Sequence, residues 1–100
     1  MPVPLLKLCP TADALTADSD LICRFTSQRD EAAFAELVRR HGLLVHRVCR
    51  QLAPALAADT FQAVFVTLAC RAGSVRTPGA VGSWLVGVAG RVTRRMRDAE

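Results

Sequence analysis

Apolar residues recur three and four positions apart along four stretches of this chain, and nowhere does the two-residue alternation of a strand persist. Asp18, Ser19 and Asp20 can open a short helix that carries Leu21, Ile22 and Phe25. Asp30 is a good N-cap for a second helix, Glu31 suits its positive end, and Phe34, Leu37 and Val38 begin its apolar stripe. Gly42 interrupts the stripe, which resumes with Leu44, Val45, Val48, Cys49 and Leu52 until Pro54 ends the helix. One interior glycine costs about 1 kcal/mol, enough to kink a helix without ending it.

A third helix is expected from an Asp59 cap, with Phe61, Val64, Phe65, Leu68 and Ala69 inward and Gly73 as its C-cap. Residues 74–79 read as a loop containing Arg76 and Pro78. The fourth helix carries Val81, Trp84, Leu85, Val88, Val92 and Met96. The pattern predicts an all-α domain over residues 18–100, a small bundle of three main helices plus a short leading one. Residues 1–17, with their two prolines near the start, read as a flexible leader.

The outer faces of two helices carry the functional signal. On the third helix the core stripe leaves Asp59, Gln62, Ala63, Val66 and Cys70 outward. A solvated face would be charged, and this one is mostly uncharged, which points to a partner; tolerated small apolar residues are the plainer reading. On the fourth helix Ser83, Gly87, Gly90 and Arg94 lie opposite the core, with Arg91 alongside. Small residues allow close approach, and the arginines beyond them can reach phosphates, although they would also suit a solvated helix end. Trp84 keeps core spacing and is expected to pack, and His41 reads as a core-edge histidine.

Composition changes this picture little. An apolar share of 51% in 100 residues fills one modest core. The net charge of +4 favours a polyanionic or acidic partner. Arg91, Arg94, Arg95 and Arg97 face only Asp98 and Glu100 in the last ten residues. Cys9, Cys23, Cys49 and Cys70 show no Cys-x-x-Cys pair, and no secretory signal accompanies them, so free thiols in a reducing cytoplasm are expected. His46 and Cys49 could hold zinc with Cys23 or Cys70, but without paired spacing no metal is expected. No apolar stretch approaches the roughly 20 residues of a membrane span. There is no nucleophile motif, phosphate-cradling glycine loop or carboxylate pair, so neither an enzyme nor a cofactor is expected.

Four segments in order carry a family resemblance. They are Asp-Leu-Ile-Cys-Arg-Phe at residues 20–25, residues 30–42, Asp-Thr-Phe-Gln-Ala-Val-Phe at residues 59–65, and Gly-Ser-Trp-Leu-Val-Gly-Val-Ala at residues 82–89. The series resembles region 2 of RNA polymerase sigma factors of the extracytoplasmic-function group, within the sigma-70 family. The resemblance implies a helical bundle that docks on the clamp helices of the polymerase β′ subunit and binds the promoter −10 element in transcription initiation. Asp59, Gln62, Ala63 and Val66 match the polymerase-binding helix. Ser74 and Arg76 fall in the segment that captures an unstacked base. Ser83, Arg91, Arg94 and Arg97 belong to the helix that meets −10 DNA. An anti-sigma factor is a further candidate partner. Other readings are a region-2-only regulatory module that binds polymerase without productive promoter recognition, and a general basic helical DNA binder.

The chain differs from the family pattern at several points. Leu56, Ala57 and Ala58 stand where an acidic cluster usually precedes the Asp59 position, and Ala89-Gly90-Arg91 replaces Ala-Arg-Asn after the tryptophan motif. The family's second DNA-binding domain, the region 4 helix-turn-helix for the −35 element, does not fit within these residues. The expectation is therefore a region 2 piece, whether a fragment, a truncated product or a region-2-only protein.

Overall fold

The computed structural model describes residues 15–75 and 80–99, and four α-helices form its architecture: α1 (Asp18–Gln28), α2 (Glu31–Leu52), α3 (Ala57–Arg71) and α4 (Val81–Ala99). Among the described residues there is no strand. α2 packs against the other three helices, α3 and α4 pack on each other, and α1 also reaches the 3-10 turn Ala72–Ser74 that follows α3.

Local chemistry sets most helix boundaries. The Asp30 carboxylate accepts from the backbone N–H groups of Ala32 and Ala33 at 3.0 and 3.3 Å, an N-cap for α2. Arg24 also donates to it through Nε and Nη2, and this hydrogen bond is the main reason its pKa is lowered. Arg29 ends α1 in the left-handed region, with φ 51°, where a non-glycine residue is strained. Its guanidinium stacks 4.1 Å over the Phe25 ring and donates to the Ala69 carbonyl near the end of α3. α2 runs unbroken through Gly42, where an added Cβ would meet only the tip of Phe61 at ordinary distance.

Two expected caps are corrected. α3 begins at Ala57, so Asp59 is its third residue and not its cap. Pro54 opens a 3-10 turn (Pro54–Leu56) that feeds straight into the helix-favouring Ala57 and Ala58. The Thr60 hydroxyl donates back to the carbonyls of Leu56 and Ala57, steadying that start. At the other end no described glycine adopts positive φ, and Gly73 lies inside the turn Ala72–Ser74 instead of capping the helix. Of the expected loop 74–79 the described residues are Ser74, which ends the 3-10 turn, and Val75, which is extended and buried.

The core draws on Leu21, Ile22 and Phe25 of α1, Leu37, Val45 and Cys49 of α2, Val64, Phe65 and Leu68 of α3, and Val81, Leu85 and Val88 of α4. Leu44 and Leu52, expected inside, are exposed. The buried line of α2 runs through Ala33, Leu37, Val45 and Cys49 at multiples of four, and Leu44 stands about 100° away from it. On α4 the same spacing buries Val81, Leu85, Ala89 and Thr93. Trp84, Val92 and Met96 are only half-buried on the flank. The Thr93 hydroxyl is buried without a hydrogen-bond partner among the described residues.

Glu36 is the core feature that sequence reading missed. Its side chain is 6% exposed, yet it is charged. Arg39 Nε donates to Oε1 at 2.8 Å and Arg40 Nε to Oε2 at 2.7 Å. The Arg39 hydrogen bond outweighs burial and holds the Glu36 pKa down at about 2. Arg40 also donates to Asp18 Oδ1 at 3.0 Å, and His41 Nε2 lies 2.9 Å from Asp18 Oδ2. The cluster clamps the start of α1 to the middle of α2, and half-buried His41 belongs to it as a core-edge residue.

Candidate functional site

Two exposed surfaces follow from how α3 and α4 turn their core lines inward. With Val64, Phe65 and Leu68 buried, residues three and four apart on the other side of α3 must face out. Asp59, Gln62 and Val66 are exposed and Ala63 is half-buried. Val66, at 60% exposure, is a large apolar side chain in solvent on a face whose charge is confined to Asp59 and, at the helix end, Arg71. Leu43 (62%) and Leu44 of α2 are also exposed, and the sequence pattern assigned neither to a surface.

The run Pro54–Ser74, 21 residues including the flanking 3-10 turns, is long and apolar enough to cross a membrane by length and composition alone. That overturns the expectation that no stretch approaches such a length. The two short turns extend the apolar helix at both ends. Its inner face is nevertheless committed to α2 and α4, as in any core helix of a bundle.

The second surface is basic. Ser83, Arg91, Arg94 and Arg97 are all exposed on α4, together with Gly87. The structure divides these arginines. Arg94 and Arg97 continue the line of Ser83, Gly87 and Gly90, whereas Arg91 turns to the neighbouring flank, its Nη1 3.6 Å from where a Gly87 Cβ would stand. On that flank Arg91, Arg95, Trp84, Val88 and Val92 line an open cavity of about 260 Å³, to which Thr67, Arg71 and Ser74 contribute from the end of α3 and its following turn. Arg71, Arg91 and Arg95 make no ion pair among the described residues. Three positive charges thus surround a half-buried tryptophan, and no carboxylate lines the space.

Ser74 therefore belongs to the basic surface, and Arg76 lies outside the described residues. Trp84 packs against the core, as its spacing predicts, and also walls the cavity. Arg95 and Thr67 went unassigned from sequence, and Arg71 was expected only as the start of the segment to Gly79 that would capture an unstacked base. The signal was present in part: Arg95 follows Arg91 by four residues and Arg71 follows Thr67 by four, which puts each pair on one helix flank. That the two flanks meet is a tertiary fact.

Cys23, Cys49 and Cys70 are unpaired, and no three His, Cys, Asp or Glu side chains come together as a metal set among the described residues. Comparison of the chain with protein-family models, with curated proteins and with solved structures finds no match.

Proposed function

We propose that this chain is a region 2 domain of an extracytoplasmic-function type sigma factor, a non-enzymatic adaptor between RNA polymerase and promoter DNA. The observation that carries the reading is the division of exposed surface between adjacent helices. α3 offers a weakly charged face centred on Val66, and α4 offers an arginine-rich end. The four sequence segments that resemble the family fall on α1, α2, α3 and α4 in the same order, which supports it further.

In this reading Asp59, Gln62, Ala63 and Val66 dock on the β′ clamp helices. Arg91, Arg94 and Arg97 neutralise phosphates near the −10 element, and Ser83 and the adjacent glycines let the strand come close. Ser74 and Arg76 belong to the segment that would receive an exposed base. Phosphate contacts give affinity without sequence information, so selectivity would arise on opened DNA held by polymerase. A general basic DNA binder would have no use for the uncharged face of α3.

The test is a pull-down of the β′ clamp-helix fragment by the parent chain and by Val66→Glu. Val66 is exposed, so the variant should keep its helical content and lose β′ binding. Equal capture by both chains, or capture by neither, would refute the reading. Capture by the parent alone, without any effect on a promoter template, would leave a region-2-only regulatory module.

A further inference from the structure

We propose that the cavity between the end of α3 and the flank of α4 binds a free nucleoside diphosphate. The inference goes beyond the polymerase reading; only the expected competition with a nucleic-acid strand rests on that reading.

Charge comes first. Arg71, Arg91 and Arg95 converge on one space of about 260 Å³ from two different helices, with no lining carboxylate and no ion pair of their own among the described residues. Guanidinium groups held together repel one another unless an anion sits between them. Their planar forks match phosphate oxygens in pairs. A nucleoside diphosphate carries about three negative charges near neutral pH, because the last phosphate ionisation falls near pH 6, and so balances the three arginines.

The apolar wall decides against a bare phosphate or pyrophosphate. Trp84, Val88 and Val92 form one side of the cavity, and an inorganic anion would gain nothing from them. A nucleobase has a flat face that stacks on tryptophan whatever its edge chemistry. Ser74 adds a lining hydroxyl, while the Thr67 hydroxyl is already donating to the Ala63 carbonyl at 2.7 Å. The volume, just below the roughly 300–1,000 Å³ of pockets for drug-sized ligands, has room for a base, and the open side leaves the phosphates to the exposed arginines. Because Arg91 also belongs to the arginine-rich end of α4, the nucleotide and a nucleic-acid strand would compete.

Trp84 is the single tryptophan and the chain has no tyrosine, so intrinsic fluorescence reports on this cavity directly. The full chain is titrated with ADP, GDP, adenosine, pyrophosphate and a short single-stranded oligonucleotide. A saturable change is expected with a diphosphate below about 1 mM, and binding at least about tenfold weaker with adenosine or pyrophosphate. Arg95→Ala should weaken diphosphate binding about tenfold or more, Arg71→Lys should weaken it while keeping the charge, and Arg50→Ala should leave it unchanged. The oligonucleotide should displace bound diphosphate. No saturable response to either diphosphate would overturn the proposal. So would pyrophosphate binding as tightly as ADP, or a response to the oligonucleotide alone, which would assign the cavity to a strand. The titration contains no polymerase, so its outcome is separate from that of the β′ pull-down.

Discussion

Replacing Glu36 with glutamine should remove one acid-sensitive part of this protein's stability. The carboxylate is 6% exposed and its pKa is held at about 2, against an ordinary value of 4.5. At 1.36 kcal/mol per pKa unit this corresponds to about 3 kcal/mol as an upper bound. Arg39, the largest contributor, is 59% exposed, and solvent screening reduces the figure to about 1–2 kcal/mol. The sign follows from linkage: a depressed carboxylate pKa means that the unfolded chain binds the proton more readily. The contribution is complete above pH 4.5 and is lost as pH falls through about 2. Glu36→Gln should therefore unfold about 4–16 °C below the parent at pH 7, taking 4–8 °C per kcal/mol for a domain of this size. The gap should close between pH 4.5 and 2. Thermal unfolding followed by circular dichroism across that range measures both. Equal stability at pH 7, or a gap that stays constant down to pH 2, would show that the Arg39–Glu36–Arg40 cluster within α2 does not stabilise the fold as argued.

Three further outcomes are expected. Thr93→Val removes a buried hydroxyl that has no partner and should raise stability by about 1 kcal/mol, seen as a higher unfolding midpoint in urea; an unchanged or lower midpoint would mean that the hydroxyl is bonded. Arg29→Gly and Arg29→Ala lose the same contacts to Phe25 and Ala69, but only alanine keeps the strain at φ 51°, so the alanine variant should be the less stable by about 1 kcal/mol in the same assay. Arg91→Ala combined with Arg94→Ala should weaken binding to all DNA sequences alike and reduce the slope of log affinity against log salt by about 2, as measured by fluorescence anisotropy; an unchanged slope would remove α4 as the phosphate-binding element.

The sequence by itself determined the four helices, because each rests on interactions between near neighbours. The Asp30 cap reaches its own next two or three residues, and Pro54 stops α2 whatever surrounds it. The outward face of α3 was legible for the same reason: fixing Val64, Phe65 and Leu68 inward fixes Asp59, Gln62 and Val66 outward. What periodicity could not decide is which of two adjacent helical lines meets a neighbour. Leu44 and Val45, or Val92 and Thr93, are separated by one step of 100°, and only the packing of a second helix selects the buried member of each pair. The same limit hid the burial of Glu36: its partners Arg39 and Arg40 are near neighbours on α2, but only the packing of the bundle turns this side chain inward and brings Asp18 of α1 to Arg40. It also hid the cavity, which needs Arg71 at the end of α3 beside Trp84, Arg91 and Arg95 on α4. Those contacts join residues far apart in sequence, and the bundle alone brings them together.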